Sequence, residues 1–229
     1  QLHNTPNFPP PNLADRSGLL AVGGELTPNW IIQAYRNGLF PWFSEGEPIM
    51  WWSPDPRLVL FPDRLKVSKS MRPLLNQNKF GVAFDSDFEA VISACAHAPR
   101  RGQDGTWITS AMMDSYISLH EMGIAHSVEV LNDSGELAGG IYGLAIGKCF
   151  FGESMFSKAS NASKFGFIKL VEWLKQKGFS LIDCQVSSEH LISLGAEEIP
   201  RSFFLELLNS AIEKPGTTGR WVANNQPSW

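Results

Sequence analysis

The chain has 229 residues, of which 43% are hydrophobic and 18% charged, and its net charge is −4. This length and composition are typical of a globular protein with a sizeable core. No apolar run approaches the roughly 20 residues of a membrane-spanning helix, which excludes an integral membrane protein. The charge excludes a protein that is basic over its whole surface, but a local basic patch could still bind nucleic acid.

Cysteine usage indicates a reducing compartment. Cys95, Cys149 and Cys184 lie in apolar segments without C-x-x-C spacing, which favours reduced thiols over disulfides or a zinc site. Residues 1–6 lack the basic start and apolar stretch of a secretory signal. We therefore expect a cytoplasmic protein without a metal site. We also expect a monomer.

The N-terminal part predicts a small separate domain. After a short strand near 18–24, Thr27 and Pro28 mark a helix start, with Thr27 as N-cap and Pro28 at the first helical position, and the helix should end near Arg36. Clustered prolines between Ser53 and Pro56 indicate a boundary. The predicted domains are 1–54 and 55–229.

Aromatic residues concentrate at connections. Trp42, Trp51 and Trp52 fall within eleven positions among prolines, and Trp107 precedes a predicted helix. Each ring could serve as core packing between the two domains or as a surface on which a nucleobase stacks, worth roughly 1–3 kcal/mol per base. Trp42, on a turn after Pro41, is the best candidate for stacking.

A local cluster of cations precedes the strand predicted at 80–84. A solvated helix face and a phosphate-binding surface explain it equally well. The candidate phosphate contacts are Lys66, Lys69 and Arg72, with Arg100 and Arg101 from the loop at 98–105.

The middle of the chain predicts helices after Asp87 and from Ser110 to about Met122, followed by an antiparallel meander. Apolar and polar residues alternate from Ala125, and hairpin turns fall at 132–135 and 147–148. The third strand carries Glu153 out of an apolar setting, and a buried glutamate usually has a partner or a function.

Beyond the meander, a polar loop at 157–164 opens a helix to about Lys177, and a strand follows at Leu181–Gln185. Residues i and i+2 share one face of a strand. Asp183 and Gln185 should therefore project together, while Ile182 and Cys184 face the other side. We predict a short helix at 190–195, a break at 197–200 and a last helix at 202–213.

The predicted elements follow one another as a meander, a polar loop, a helix, a strand and another helix. This order resembles the core of GNAT-type N-acyltransferases, an α/β (α+β) fold of a mixed sheet with flanking helices. In that fold an acyl donor lies where two strands splay apart, and the following helix N-terminus binds the donor's phosphate. The loop at 157–164 has no glycine, so the donor is not expected to be coenzyme A.

Several sequence blocks resemble the leucyl/phenylalanyl-tRNA-protein transferase family of bacteria. These blocks, in one order between about Gly18 and Arg201, are far more specific than any single motif. They are Phe40–Phe43, Trp51–Arg57, Gly105–Thr109, Gly152–Ser157 and Leu181–Gln185.

The resemblance implies an enzyme that moves leucine or phenylalanine, and also methionine, from aminoacyl-tRNA to the N-terminal Arg or Lys of a protein, which marks that protein for degradation. No metal or nucleotide cofactor is implied, because the ester is already activated. The implied catalytic residues are Asp183, Gln185 and Glu153. The residues implied around the 3′ adenosine are Trp42, Trp107 and Leu170. The implied apolar donor pocket consists of Ile141, Phe150, Phe167 and Ile182.

Two roles stay open at this point. The attacking amine must lose a proton, and we expect Asp183 to polarise Gln185, with Asp183 or the tRNA's terminal hydroxyl accepting the proton. Glu153 could bind either the acceptor's α-ammonium or its basic side chain, or form a structural salt bridge. The expected tRNA phosphate contacts are Lys66, Lys69, Arg72, Arg100 and Arg101. In this region the family has a denser run of Lys and Arg than this chain has.

Two other functions fit parts of the sequence. A GNAT enzyme with another acyl donor would need a phosphate loop that the sequence lacks, and a noncatalytic RNA-binding module would not explain Asp183 and Gln185. Cys184 should face away from this pair, which disfavours a thiol nucleophile, and His190 is expected at a helix start or surface. Ile182 should also face away from Asp183, so the strand must splay at the cleft or one of the two assignments fails.

Overall fold

The computed structural model describes residues 6–98, 106–217 and 219–222. A three-stranded antiparallel sheet lies near the N-terminus and a seven-stranded mixed sheet forms the rest of the fold, confirming the predicted α/β class. The strands are β1 (Leu19–Val22), β2 (Phe40–Pro41), β3 (Met50–Trp52), β4 (Arg57–Leu60), β5 (Gly81–Phe84), β6 (Ala125–Leu131), β7 (Leu137–Ile146), β8 (Cys149–Ser157), β9 (Leu181–Gln185) and β10 (Glu197–Ile199). The helices are α1 (Pro28–Arg36), α2 (Met71–Asn76), α3 (Phe88–His97), α4 (Ser110–Glu121), α5 (Ala162–Gln176), α6 (Glu189–Ser193) and α7 (Arg201–Ile212), with short 3-10 helices at Pro11–Leu13 and Pro62–Arg64.

The large sheet has the strand order β10-β4-β9-β8-β7-β6-β5, and the small sheet has the order β1-β3-β2. The β8–β9 pair is parallel, with α5 as its crossover, and the other pairs are antiparallel. No helix in the described ranges has the length and apolar character needed to cross a bilayer.

Two apolar cores lie on opposite faces of the large sheet. The first core contains α1, α3, α4 and α7 together with the aromatic residues of the small sheet, and the second contains α5 and α2. Tyr35 of α1 packs edge-on against Phe151 of β8 at 5.0 Å, so the first core joins the two sheets. The division at 54/55 stays a prediction.

Local sequence signals predicted most element bounds. Asp87 caps α3, since its Oδ1 accepts a hydrogen bond from the Ala90 backbone N–H at 3.1 Å, and β9 spans the predicted residues. The predicted break at 197–200 was wrong, because β10 lies there and pairs antiparallel with β4. This three-residue edge strand is too short to show a period-two pattern.

Strand β9 separates from its neighbour partway along. Pairing of β8 with β9 runs from Cys149↔Leu181 to Phe151↔Asp183, whereas β8 continues to Ser157. On the other side, β4 places Leu58 opposite Gln185 and Val59 opposite Asp183, so β9 carries one extra residue, a bulge. The sheet therefore opens between β8 and β9 next to Gln185.

Candidate active site

Glu153 lies at the opening between β8 and β9 and accepts three hydrogen bonds from other elements. Tyr35 Oη donates to Oε1 at 2.6 Å, Tyr116 Oη donates to Oε2 at 3.0 Å, and Gln185 Nε2 donates to Oε1 at 2.9 Å. The two phenols also lie 2.8 Å apart. A carboxylate offers about four acceptor positions, so Oε2 retains room for another donor.

Burial raises the pKa of Glu153 from 4.5 to about 7, and the nearby Asp183 charge acts in the same direction. Hydrogen bonds from Tyr35, Tyr116 and Gln185 oppose this shift, because they stabilise the carboxylate. Burial, with the Glu153 charge next in size, raises the pKa of both tyrosines well above 10. The phenols therefore remain donors while Glu153 changes protonation near neutral pH.

Asp183, two residues before Gln185 on β9, forms an ion pair with Arg57. Arg57 Nε donates to Asp183 Oδ1 at 2.8 Å and Arg57 Nη2 donates to Oδ2 at 2.6 Å, and both side chains have 0% exposure. Asp183 Oδ1 also accepts the backbone N–H of Gln185 at 2.9 Å. The expectation that Asp183 polarises the Gln185 side chain was wrong, because its contact is with the backbone and the Gln185 amide contacts Glu153.

The predicted faces of β9 are confirmed. Asp183 contacts Arg57, and Gln185 contacts Glu153 with its two tyrosine partners, on the side of the first core. Ile182 and Cys184 belong to the second core. Gln185 has φ = +65°, a strained left-handed value for a non-glycine residue, and it turns the Gln185 side chain to the opening.

An apolar cavity of about 580 Å³ extends from this opening into the second core. The four residues expected around the donor side chain all line it, namely Ile141, Phe150, Phe167 and Ile182. Glu153 and Gln185 also line it, whereas Asp183 does not. Because the strands splay, one cavity reaches Ile182 from one face of the sheet and Gln185 from the other, which resolves the conflict between their assignments.

Two further cavities lie beside Trp42 and Trp107. The tryptophan cavity has about 840 Å³, and a small cavity of about 250 Å³ is bounded by both indoles together with Glu153 and Gln185. Trp42 is 41% exposed, and Trp52 Nε1 donates to its carbonyl at 2.6 Å. Leu170 lines none of the three cavities and lies on α5 in the second core. Its contact with the adenosine stays a prediction that none of these cavities supports.

Three of the predicted phosphate contacts lie on the segment that includes α2, outside the linings of the three cavities. Lys66, Lys69 and Arg72 are exposed on the segment around α2. The Lys66 backbone N–H donates to the Leu194 carbonyl at 2.8 Å, which attaches this segment to the end of α6. Arg100 and Arg101 lie outside the described residues.

Two other titratable side chains, Cys184 and His190, line the apolar cavity. Cys184 lines the apolar cavity, but burial, with the Asp183 charge next, raises the pKa of its thiol. Burial and the Lys164 charge lower the pKa of His190, which also lines the apolar cavity. Among the described residues, no group of three His, Cys, Asp or Glu side chains is arranged to hold a metal ion.

Sequence reasoning missed three residues that complete the site. Arg57 occurred only inside the Trp51–Arg57 block, and no sequence pattern singled out Tyr35 or Tyr116 as part of a site. The buried carboxylates themselves were the signal, since each required a charge or hydrogen-bond partner. The sequence indicates that such partners must exist, but it does not identify which residues they are.

The fold and site define an α/β protein whose large sheet opens onto an apolar cavity, beside the half-buried Glu153 carboxylate and the indoles of Trp42 and Trp107. Two family models match the chain, one described as leucyl/phenylalanyl-tRNA protein transferase over residues 59–209 and one as the N-terminal domain of that transferase over residues 24–55. The chain belongs to the leucyl/phenylalanyl-tRNA protein transferase family.

Curated relatives carry the same family name. The leucyl/phenylalanyl-tRNA–protein transferase of Pseudomonas fluorescens (strain Pf0-1) is 59% identical over 221 residues, covering 96% of this chain and 96% of the relative. That of Syntrophus aciditrophicus (strain SB) is 54% identical over 214 residues, covering 93% and 89%. Among solved structures, L-PGS from Bacillus licheniformis aligns with 14% identity and a TM-score of 0.39 over 76% of this chain and 61% of that chain, which is too low to assign a fold.

Proposed function

We propose that this chain transfers leucine or phenylalanine, and also methionine, from aminoacyl-tRNA to the N-terminal Arg or Lys of acceptor proteins, creating a signal for their degradation. Beyond family membership, one observation carries the proposal. Glu153 and Gln185 border both the apolar cavity and the small cavity beside Trp42 and Trp107. An aminoacyl ester has the same order of parts, an apolar side chain, a reactive carbonyl and an adenosine.

The donor fits this order of cavities. Its side chain would occupy the apolar cavity between Ile141, Phe150, Phe167 and Ile182, and the terminal adenosine would stack on Trp42 or Trp107. The ester carbonyl would then lie next to Glu153 and Gln185. Leu, Phe and Met fill such a cavity, whereas valine is smaller and would lose roughly 1–3 kcal/mol of binding per missing methylene.

Peptide-bond formation needs a proton acceptor for the amine. The acceptor's amine nitrogen attacks the ester carbonyl carbon, the bond from that carbon to the ribose oxygen breaks, and the proton lost by nitrogen ends on the ribose hydroxyl. We assign Glu153 to accept the proton through Oε2, because its pKa of about 7 lies near that of an α-amino group, roughly 7.7–8.0. Gln185 holds Glu153 through Nε2, which leaves its amide oxygen to orient the amine.

Asp183 then acts as a positioning residue. Its Oδ1 holds the Gln185 backbone at the bulge, and Arg57 holds Asp183. Because Asp183 borders none of the three cavities, its carboxylate acts through Gln185. No metal or nucleotide enters this scheme, since the ester is already activated.

The tRNA phosphates would lie along Lys66, Lys69 and Arg72. Lys66 is attached to the end of α6, and α6 contributes His190 to the apolar cavity. The cations therefore lie on a segment adjoining the proposed donor site. Arg100 and Arg101 remain proposed phosphate contacts. We also propose a cytoplasmic location, because aminoacyl-tRNA is made in the cytoplasm, and a monomeric state.

Transfer of labelled leucine tests the proposal. Leucyl-tRNA is incubated with the protein and with one of two acceptors that differ only in an N-terminal Arg or Ala. We expect label on the Arg acceptor and little on the Ala acceptor, and loss of transfer when leucyl-tRNA is replaced by free leucine. Absence of label on both acceptors, or equal label on both, would overturn it.

A further inference from the structure

Trp221, close to the C-terminus, is inserted into the second core. Its indole is 2% exposed and stacks on the His126 ring at 3.8 Å between centroids, with an interplanar angle of 7°. Trp173 of α5 packs on it at 4.3 Å. Residue 222, next in the chain, is 63% exposed, and residues 219 and 220 are exposed as well, so Trp221 alone is inserted among the described residues next to it.

Asp85 fixes the depth of this insertion. Its Oδ2 accepts the Trp221 backbone N–H at 2.7 Å and faces His126 Nδ1 at 2.8 Å, and its Oδ1 accepts the Ser127 N–H at 2.8 Å. Asp85 has φ = +52° and is 4% exposed. A non-glycine residue holds such a strained backbone only where its surroundings enforce it, so the C-terminal segment is attached at a fixed point of the sheet.

The inserted indole contacts the back of the apolar cavity. Phe150 lines that cavity, and its ring centroid lies 5.9 Å from that of Trp221. The Phe150 ring also lies close to Gly143, where a Cβ atom would be 2.6 Å from Phe150 Cζ. Phe150 therefore packs near both a glycine of β7 and the tryptophan of the C-terminal segment.

We propose that Trp221 determines donor specificity from outside the cavity, by supporting Phe150 and so setting the depth available to the donor side chain. The proposal rests on the proposed function, because it assigns the apolar cavity to that side chain. Trp221 is a positioning residue, since it lines none of the three cavities. Removing the indole lets Phe150 retract, which deepens the cavity and favours larger donors.

The test compares kcat/KM for leucyl-, phenylalanyl- and tryptophanyl-tRNA in the full chain. In Trp221→Ala, the ratio of tryptophanyl- to leucyl-tRNA should rise about tenfold, the effect of roughly one methylene of pocket space. Trp221→Phe should restore the wild-type ratio, because the Trp221 Nε1 donates to no group among the described residues and a phenyl ring still supports Phe150. Val222→Ala is the matched control and should leave the ratio unchanged.

A double variant tests whether the effect passes through Phe150. In a Phe150→Leu background, Trp221→Ala should leave the ratio unchanged, because coupled residues are not additive. Equal loss with all donors in Trp221→Ala, or in Trp221→Leu if the alanine variant fails to fold, would reduce Trp221 to a stability role and overturn the inference. Wild-type protein inactive with every donor would instead refute the proposed function.

Discussion

Arg57 and Asp183 form a bidentate ion pair, with Nε to Oδ1 at 2.8 Å and Nη2 to Oδ2 at 2.6 Å, and both side chains are fully buried. Arg57 Nη1 also donates to the Gly38 carbonyl at 3.2 Å, and the guanidinium lies between the Phe40 and Phe204 rings. This pair connects the loop after α1 with β4 and β9. The bulge that places Gln185 against Glu153 therefore depends on the buried ion pair between Arg57 and Asp183.

Asp183→Asn should destabilise the fold by about 3–5 kcal/mol, because it leaves the Arg57 charge buried without compensation. Urea denaturation measures the free energy of unfolding, and transfer from bound leucyl-tRNA should fall as the Gln185 backbone loses its anchor. Asp63→Asn, which removes an exposed partner of Lys175, is the control and should change little. Unchanged stability with lost turnover would make Asp183 a direct participant in the chemistry, and full turnover would remove its role.

Glu153→Gln should abolish a pH dependence centred near pH 7. The pKa of Glu153 is raised to about 7, so below that pH the carboxyl is protonated and cannot accept the amine proton. Single-turnover rates from about pH 5 to about pH 9 should rise through pH 7 in the wild type, and the slower variant should keep only the limb of the acceptor amine. If the Glu153→Gln variant kept the pH–rate profile of the wild type, another group would have to accept the amine proton.

The Glu153 carboxyl also makes the free energy of unfolding depend on pH, and the direction of this dependence follows from its raised pKa. Between about pH 4.5 and pH 7 the folded state retains a Glu153 proton that the unfolded chain has released, so this contribution to stability falls as pH rises through that window. Glu153→Gln should lose this decline. Thermal midpoints of both proteins at matched pH values measure it, and parallel pH curves would contradict the assignment.

Tyr35→Phe should move the acid limb of the rate profile to higher pH. The Tyr35 hydroxyl stabilises the Glu153 carboxylate from 2.6 Å, and its loss favours the protonated form. Tyr116→Phe should act in the same direction with a smaller shift, because its hydrogen bond is 3.0 Å long. A shift to lower pH in either variant would contradict the hydrogen-bond directions described above.

The sequence predicts those parts of the molecule that short-range interactions determine. Thr27–Pro28, the Asp87 cap and the alternation in β9 depend on neighbours within a few residues, and the structure matches each of them. The partners of the site are remote, since Tyr35 reaches Glu153 across 118 residues and Arg57 reaches Asp183 across 126. No periodicity encodes which tyrosine or arginine meets a given carboxylate.

Leu170 and Phe167 illustrate the same limit within one helix. Both belong to the buried apolar stripe of α5. Phe167 borders the apolar cavity, whereas Leu170, nearly one turn further, packs wholly into the second core. The position at which the sheet opens determines which residue of the stripe can contact a ligand. This position depends on how β8 and β9 pair.

Trp42→Ala should weaken binding of aminoacyl-tRNA by about 1–3 kcal/mol, the value of one stacked base, with little change in the KM for the acceptor. Trp42 is 41% exposed and borders both cavities assigned to the adenosine end. Trp42→Phe should retain most of the affinity. Leu13→Ala, which removes another exposed apolar side chain, is the control, and equal losses in the two alanine variants would contradict stacking.

Lys66→Ala, Lys69→Ala and Arg72→Ala should each reduce the salt dependence of tRNA binding. A cation that contacts a phosphate releases a counterion, so each substitution should lower the slope of log K against log salt by about one, with a loss of affinity that is the same for leucyl- and phenylalanyl-tRNA. Lys175→Ala is the matched control, because Lys175 is half-exposed and already paired with Asp63 at 2.8 Å. Binding titrations at several salt concentrations measure the slopes, and slopes equal to that of the wild type in all three variants would move the tRNA phosphates to another surface.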